Sequence, residues 1–593
     1  VIEPRVYRAA FVPALVALVL AMFSFESRPH PLPQGLAADV LFDGHQAAGV
    51  AARTAERQPD RRPGRRGDRI VAAQVADAFA ARGFRVERQR FSHAGRPLEN
   101  VIARRAGRSR QQIAIVAGRD AAVVPDAPGS ASDTAALLEL ARVFEGRPSR
   151  ETLVLASIDG ATLGEVGASK LIDELGPPER VDAVLVVSDL GSSRHRGSFL
   201  QAWSNDARRA GIGLQRTVGD SIRQERQRQA EPSGALGQLA RLSFPIGIGA
   251  QGVLLDGGFD AVRISGSGEL PPDGNGPVEA IDEDTLGTLG RATLRTVTAI
   301  DQGHRPEHGP NSYLLAVSQV LPGWVLSLLA GTLLLPALVA SVDAFARARR
   351  RHLAVLPWMR WLGAWTAPFL AGFAVAEVLA LVGATPAPPP APVPPEDVPL
   401  DGAALGVLAG VTAAMPLGFI LARYLAARPD PALRNPVEPG AAVALALVVS
   451  ATAFVLWLVN PYAGLVAVPA AHLWMLAVLA PPARSHRSRA LLVAIGALPP
   501  LLVTVYYLVT LSLDPLEGAW YLLLLVTGHS VGFLTTLLGC VFLGALGGAI
   551  EIVVRAPVED ADEAPRQEGP PVYGPGAYAG PGSLGGTESA LRR

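Results

Sequence analysis

Three short runs rich in β-branched residues, 112–118, 152–158 and 183–188, each close on polar or glycine residues. Between the first and second, Thr134 to Phe144 places apolar residues at helical spacing. This alternation predicts a mostly parallel sheet with crossover helices, whose chemistry sits at the strand C-termini. Those ends read Gly118-Arg119-Asp120, Asp159-Gly160-Ala161-Thr162 and Asp189-Leu190-Gly191. Further strands are expected at 85–91, 99–105 and 260–265. A helix over 68–82 carries Ile70, Val71, Val75 and Phe79 on one face and stops at Gly83. A closing helix over 281–300 repeats Leu286, Leu289, Leu294 and Val297. The polar stretch 206–243 reads as an exposed insertion or helix pair over the C-terminal edge of the sheet.

The remaining pattern is that of a membrane protein. Residues 9–25 are apolar behind Arg5 and Arg8, which reads as a signal-anchor, with a cleaved signal peptide as the rival reading. Seven more apolar runs follow, at about 320–342, 361–383, 403–422, 440–459, 463–480, 490–511 and 528–553, each near the ~20 residues needed to cross a bilayer. Arginines 347, 349–351 and 360, then 423, 428 and 434, then 484, 487 and 489 fall in alternate loops. The loops between, 384–402, 460–462 and 512–518, contain no Lys or Arg. The positive-inside rule then places both termini in the cytoplasm. The expected order is a cytoplasmic start (1–8), an anchor (9–25), an extracytoplasmic α/β domain (26–310), an all-α seven-helix polytopic membrane bundle (313–554) and a disordered cytoplasmic tail (555–593). Loop 385–399, TPAPPPAPVPPEDVP, predicts a semi-rigid polyproline segment on the side of the domain.

Composition changes this picture little. The 593 residues carry a formal net charge of 0, which gives no argument for nucleic acid as a partner. Lys170 is the one lysine. The sole cysteine, Cys540, excludes an internal disulfide and leaves the compartment open. The Arg-rich loop 57–69 reads as solvated. His304 and His308 flank Arg305-Pro306, so a juxtamembrane loop is expected there rather than a helical metal pair.

The segment 70–300 resembles the two-zinc aminopeptidase family that includes bacterial leucyl aminopeptidase and aminopeptidase Y. Asn100-Val101-Ile102-Ala103 and Ala135 to Arg142 carry the likeness most clearly. The resemblance implies that family's fold: an extracytoplasmic α/β domain with a mostly parallel sheet and flanking helices. It also implies where the zinc site would lie. The first ligand His falls on Gly118, and the Asp that orients it on Asp120. The D-D-N with the bridging Asp is missing between Gly129-Ser130 and Ala131-Ser132-Asp133-Thr134. The paired Glu, base and ligand, falls on Ala161 and Thr162. The later Asp ligand is matched by Asp189, and the loop SGSGELPPDGNG after 261–265 offers no final His. A two-metal hydrolase needs those imidazoles and carboxylates. The expectation is therefore no catalytic residue and no cofactor, with a vestigial cleft of Asp120, Asp133, Asp159 and Asp189.

That expectation makes the protein a binding or scaffold component, taking a peptide or protein ligand in the old cleft and contacting membrane lipid, in a membrane complex. The plan is also similar to the Gaa-type subunit of the GPI transamidase. An active metallo-aminopeptidase, with zinc held by non-standard ligands drawn from those four carboxylates and His195, is the alternative. A transporter is the third class. Glu377, His472 and His529 fall within apolar runs, where ionisable groups are costly. Glu377 and His529 read as interfacial, and His472 as an interhelical hydrogen-bonding group.

Overall fold

The structure is a computed structural model that describes residues 3–33, 41–226, 234–272, 274–303, 305–316, 319–427, 439–479 and 485–555. The tail expected over 555–593 lies outside the described residues from 556 on, as do 428–438 and 480–484.

Among the described residues, ten strands form two sheets. In chain order they are β1 (Glu26–Ser27), β2 (Arg85–His93), β3 (Arg96–Arg105), β4 (Gln112–Gly118), β5 (Thr152–Ile158), β6 (Val181–Ser188), β7 (Leu200–Gln201), β8 (Ala261–Ser265), β9 (Tyr313–Leu315) and β10 (Gln319–Pro322). The large sheet runs β2-β3-β5-β4-β6-β8-β7. Only its centre, β5-β4-β6-β8, is parallel. The edges are antiparallel, so the sheet is mixed rather than mostly parallel. The reason on one edge is local. β2 and β3 are joined by Ala94-Gly95, both at positive φ, and a two-residue turn can only reverse the chain.

The parallel strands are continuous apolar runs because helices cover both faces. Ile113, Ile115, Val154, Leu155, Val184 and Leu185 are all fully buried. Helix Ser132–Phe144 carries the chain from β4 to β5, and Val166–Leu175 from β5 to β6. From β4 the chain moves to β5 on one side, whereas from β6 it moves on to β7 and β8 on the other, so strand order reverses between β4 and β6. Ligands of open α/β sheets lodge at such a switch point. Helix Arg66–Ala81 packs Val71, Val75 and Phe79 into the same core, and Glu283–Gln302 adds Leu286, Leu289, Leu294 and Val297. The polar stretch after β7 forms two helices, Ile212–Arg226 and Ala235–Ser243.

Among the described residues, eight helices are long and apolar enough to cross a membrane: Pro4–Phe23, Gly323–Arg350, Leu356–Leu381, Gly402–Leu425, Pro439–Val459, Pro461–Leu479, His486–Thr510 and Phe533–Arg555. A shorter apolar helix, Pro515–Thr527, precedes the last. The α/β domain rests on the bundle end where Asn460 and Tyr506–Tyr507 lie. Asn460 donates to the Leu242 carbonyl at 2.8 Å, the Tyr507 hydroxyl to the Phe244 carbonyl, and Arg241 Nε to the Tyr506 hydroxyl at 3.0 Å. Arg347, Arg349 and Arg350 end their helix, and Arg487 and Arg489 begin theirs, at the opposite end of the bundle.

The three polar residues expected within apolar spans separate. His472 bridges helices, with Nδ1 2.7 Å from the Tyr7 hydroxyl and Nε2 2.8 Å from the Leu333 carbonyl. Glu377 lies one turn from the end of its helix and is half-buried. His529 is outside the last spanning helix altogether, exposed at φ 57° in the turn before Phe533. The apolar run there is broken by Gly528 and Gly532, which the hydropathy pattern alone passes over.

Candidate functional site

Asp120 follows β4 and Asp189 follows β6, so adjacent parallel strands deliver both to one cleft of about 260 Å³. Asp133 reaches the cleft from the first turn of helix Ser132–Phe144. Gly118, at the last position of β4, faces the 161–162 loop, and a Cβ there would meet the Ala161 Cβ at 3.2 Å.

The carboxylates are engaged in holding loops. Asp120 accepts from the Ala161 and Thr162 amides at 2.9 Å each and from the Thr162 hydroxyl at 2.6 Å. Asp133 accepts from the Asp189 and Leu190 amides, both at 2.9 Å. Next to it, the Ser132 hydroxyl receives the Gly191 amide. Asp189, at φ 53°, takes the Ser188 hydroxyl at 2.8 Å and the Ser267 hydroxyl at 2.9 Å. Burial raises all three carboxyls above the ordinary range. The hydrogen bonds to each oppose that rise, and at Asp133 the neighbouring Asp189 adds to it.

Asp159 is not a cleft residue. It lies on the far side of the strand ends, where its Oδ2 accepts the Glu99 amide at 3.0 Å and sits 3.5 Å from Arg119. Successive residues after β4 point to opposite faces, so Asp120 enters the cleft while Arg119 turns away. Arg119 is fully buried and forks onto Asp68, with contacts of 2.7 and 3.3 Å. Asn100 stands beside this network. It donates to Gln89 and to the Gly167 carbonyl and accepts the Asp159 amide, so it ties β2, β3, the end of β5 and helix Val166–Leu175 together. His195 is also outside the cleft. Its nitrogens lie against the Gly266 and Gly197 carbonyls, and its ring stacks on Phe199 at 3.5 Å.

Three cleft residues escape the sequence pattern. Asp126 stands in the loop before the helix and accepts from the Ser130 amide and hydroxyl. Glu165, half-buried, has its carboxyl pushed up to about 8 by burial, with Asp120 adding to the rise. Arg263, on β8, brings a buried cation to the same space. Nor is loop 57–69 solvated throughout. Arg61 is fully buried and donates to the Asp126 carbonyl at 3.1 Å and the Ser130 hydroxyl at 3.0 Å, bracing the cleft loop from beneath. His308 likewise has a partner, lying 3.2 Å from Asp260.

The Pro-rich segment completes the cleft. Pro392, Val393, Pro394, Glu396 and Asp397 line it, and Gly164 packs so closely that a Cβ would meet Pro389 at 2.6 Å. The segment is held from the bundle. The Tyr521 hydroxyl donates to the Val393 carbonyl at 2.8 Å and Trp520 to the Val398 carbonyl at 3.0 Å. Burial, then Glu396 and Asp120, raise the Asp397 carboxyl to about 6.

No family model and no curated protein matches the chain. Solved structures do. A glutaminyl cyclase from an Acidobacteriales bacterium matches at 16% identity over 46% of this chain and 99% of its own, with a TM-score of 0.35. The zinc aminopeptidase BSAP from Bacillus subtilis matches at 14% identity over 43% and 94%, with a TM-score of 0.34. A Zn-dependent exopeptidase from Parabacteroides distasonis matches at 14% identity over 43% and 98%, with a TM-score of 0.36.

Proposed function

We propose that this chain is a membrane-anchored, peptidase-like protein whose cleft binds rather than cleaves. The observation that carries this reading is the use of the carboxylates. Asp120 gives its two oxygens to three donors and Asp133 one to each of two amides. Oxygens so engaged are poor ligands for a dication, which must displace those donors and its own waters. No imidazole is among the described residues that line the cleft, and Ala161 and Thr162 stand where the resemblance implies base and ligand. The residues present therefore do not fit the zinc that the resemblance implies.

The domain packs on the bundle end opposite the arginine-rich helix ends, which supports an extracytoplasmic position for it. The cleft is narrow because the Pro-rich strap crosses it. Its roughly 260 Å³ falls short of the about 300–1,000 Å³ of ordinary ligand sites. A peptide or protein ligand would bind with the strap displaced, as one member of a membrane complex of the transamidase type. The test is a single cysteine at Ala161 in a Cys540→Ser background of the full chain. The strap should shield it from a maleimide, and replacing 388–394 by Gly-Ser repeats should raise the labelling rate at least about tenfold. Equal rates with and without the strap would contradict the reading.

The alternative of an active peptidase draws on the gathering of Asp120, Asp126, Asp133, Glu165 and Asp189 in one space. Burial raises the proton affinities of Asp120, Asp133, Glu165 and Asp189, which favours neutral carboxyls over metal-binding carboxylates.

A further inference from the structure

A second, larger cavity of about 790 Å³ opens away from the cleft, between β7, the Ile212–Arg226 and Ala235–Ser243 helices, and the segments that lead into the membrane. Its charge is one-sided. Arg28, Arg209, Arg216 and Arg223 line it, against Asp220 as the one carboxylate among its described lining residues. Asp220 is already engaged by Arg223 and by Gln224. The other three arginines have no acidic partner among the described residues.

Their placement is built rather than incidental. Arg209 is 7% exposed, with its guanidinium stacked between Trp203 and Tyr313 at 4.1 and 4.6 Å from the ring centroids. Its Nη1 donates to Gln238 and to the Tyr313 carbonyl. Arg28 donates to the Ala316 carbonyl. Arg216 makes no hydrogen bond or ion pair with any described residue. In all three the Nε–H is buried without an acceptor among the described residues. Burial and mutual repulsion lower the proton affinity of Arg28, which faces Arg216, and of Arg209, which faces Arg28. Arginine does not discharge itself by losing a proton. Like charges held together in a partly dry space, with donors unmet, cost free energy unless an anion joins them.

We propose that this cavity is a binding site for a phosphate-type oxyanion, recognised by Arg28, Arg209 and Arg216. Planar guanidinium forks match the paired oxygens of a phosphate, which a lone ammonium would not. The site stands at the membrane edge. Ser27, the residue before Arg28, pairs with Gln319, and the Gly323–Arg350 spanning helix starts four residues on. At about 3.4 Å per residue, that is at most roughly 14 Å. The oxyanion is therefore either a lipid headgroup phosphate at the bilayer surface or a soluble phosphate.

The test uses the full chain, delipidated in a phosphate-free maltoside detergent, with two probes. One is inorganic phosphate followed by calorimetry; the other is short-chain phosphatidylglycerol followed by native mass spectrometry. At least one probe should bind saturably at about one per chain. Arg28→Gln and Arg216→Gln should each weaken it roughly tenfold or more, and Arg216→Lys less. The Arg216 variants should keep the parent's thermal midpoint in detergent, because Arg216 makes no hydrogen bond or ion pair with any described residue. Binding of phosphatidylglycerol alone identifies a lipid headgroup, and comparable binding of inorganic phosphate identifies a soluble ligand. Failure of both probes to saturate, or unchanged binding by both glutamine variants, overturns the proposal.

Discussion

The Thr162 hydroxyl donates to Asp120 at 2.6 Å, and the Thr162 amide reaches the same carboxylate oxygen at 2.9 Å. Asp120 thereby closes the 161–165 loop onto the end of β4. Replacing it with alanine leaves those donors unmet. We expect Asp120→Ala to cost about 2–3 kcal/mol of stability, measured by thermal unfolding with a chelator present throughout. A residue that served mainly through a metal would show little loss under those conditions.

Beneath the cleft, Arg119 and Asp68 form an ion pair with both side chains essentially sealed from solvent. Removing one partner strands a buried charge. Asp68→Ala should destabilise by about 3–5 kcal/mol, and the double change Asp68→Leu/Arg119→Met by less than Asp68→Ala alone. Chemical denaturation of the three proteins side by side checks the ordering.

Glu165 gives a pH dependence with a definite sign. Its carboxyl is raised in the fold from 4.5 to about 8. Below 4.5 folded and unfolded chains are both protonated, and the group contributes nothing. Between those values the unfolded chain releases a proton that the fold retains, so stability falls as pH rises, and above about 8 the loss is complete. Asp397, raised to about 6, and Asp159, raised to about 8, act in the same direction. The thermal midpoint should drop between about pH 5 and pH 8.5, and Glu165→Gln should flatten that slope. An unchanged slope in the variant would contradict the assignment.

Much of the frame was legible in the sequence. Strands β4, β5 and β6 announce themselves because burial on both faces leaves unbroken apolar runs. Asp120 and Asp189 could be placed because strand ends fix them. Asp159 could not, because the face it takes depends on where β5 stops. Asp126 and Glu165 belong to loops whose paths are set by distant partners. The Arg-rich loop reads as solvated by composition, yet Arg61 is drawn in by a carbonyl 65 residues away. Proline content foretells an extended 385–399 segment but not the cleft beneath it. The antiparallel edge hangs on the Ala94-Gly95 turn, a pair too common to single out. The cavity arginines are scattered over 28, 209 and 216, so no local pattern gathers them.

We propose a cleft that holds ligands without a metal-based catalyst. Its most direct measurement is the metal content of the purified full chain after incubation with zinc and desalting, run beside turnover of aminopeptidase substrates. A cleft of this kind should retain well under about 0.1 zinc per chain and show no turnover above a buffer blank, with no difference between the parent and Asp189→Ala. About one or two zinc ions per chain, lost in Asp120→Ala and Asp189→Ala together with measurable hydrolysis, would contradict it.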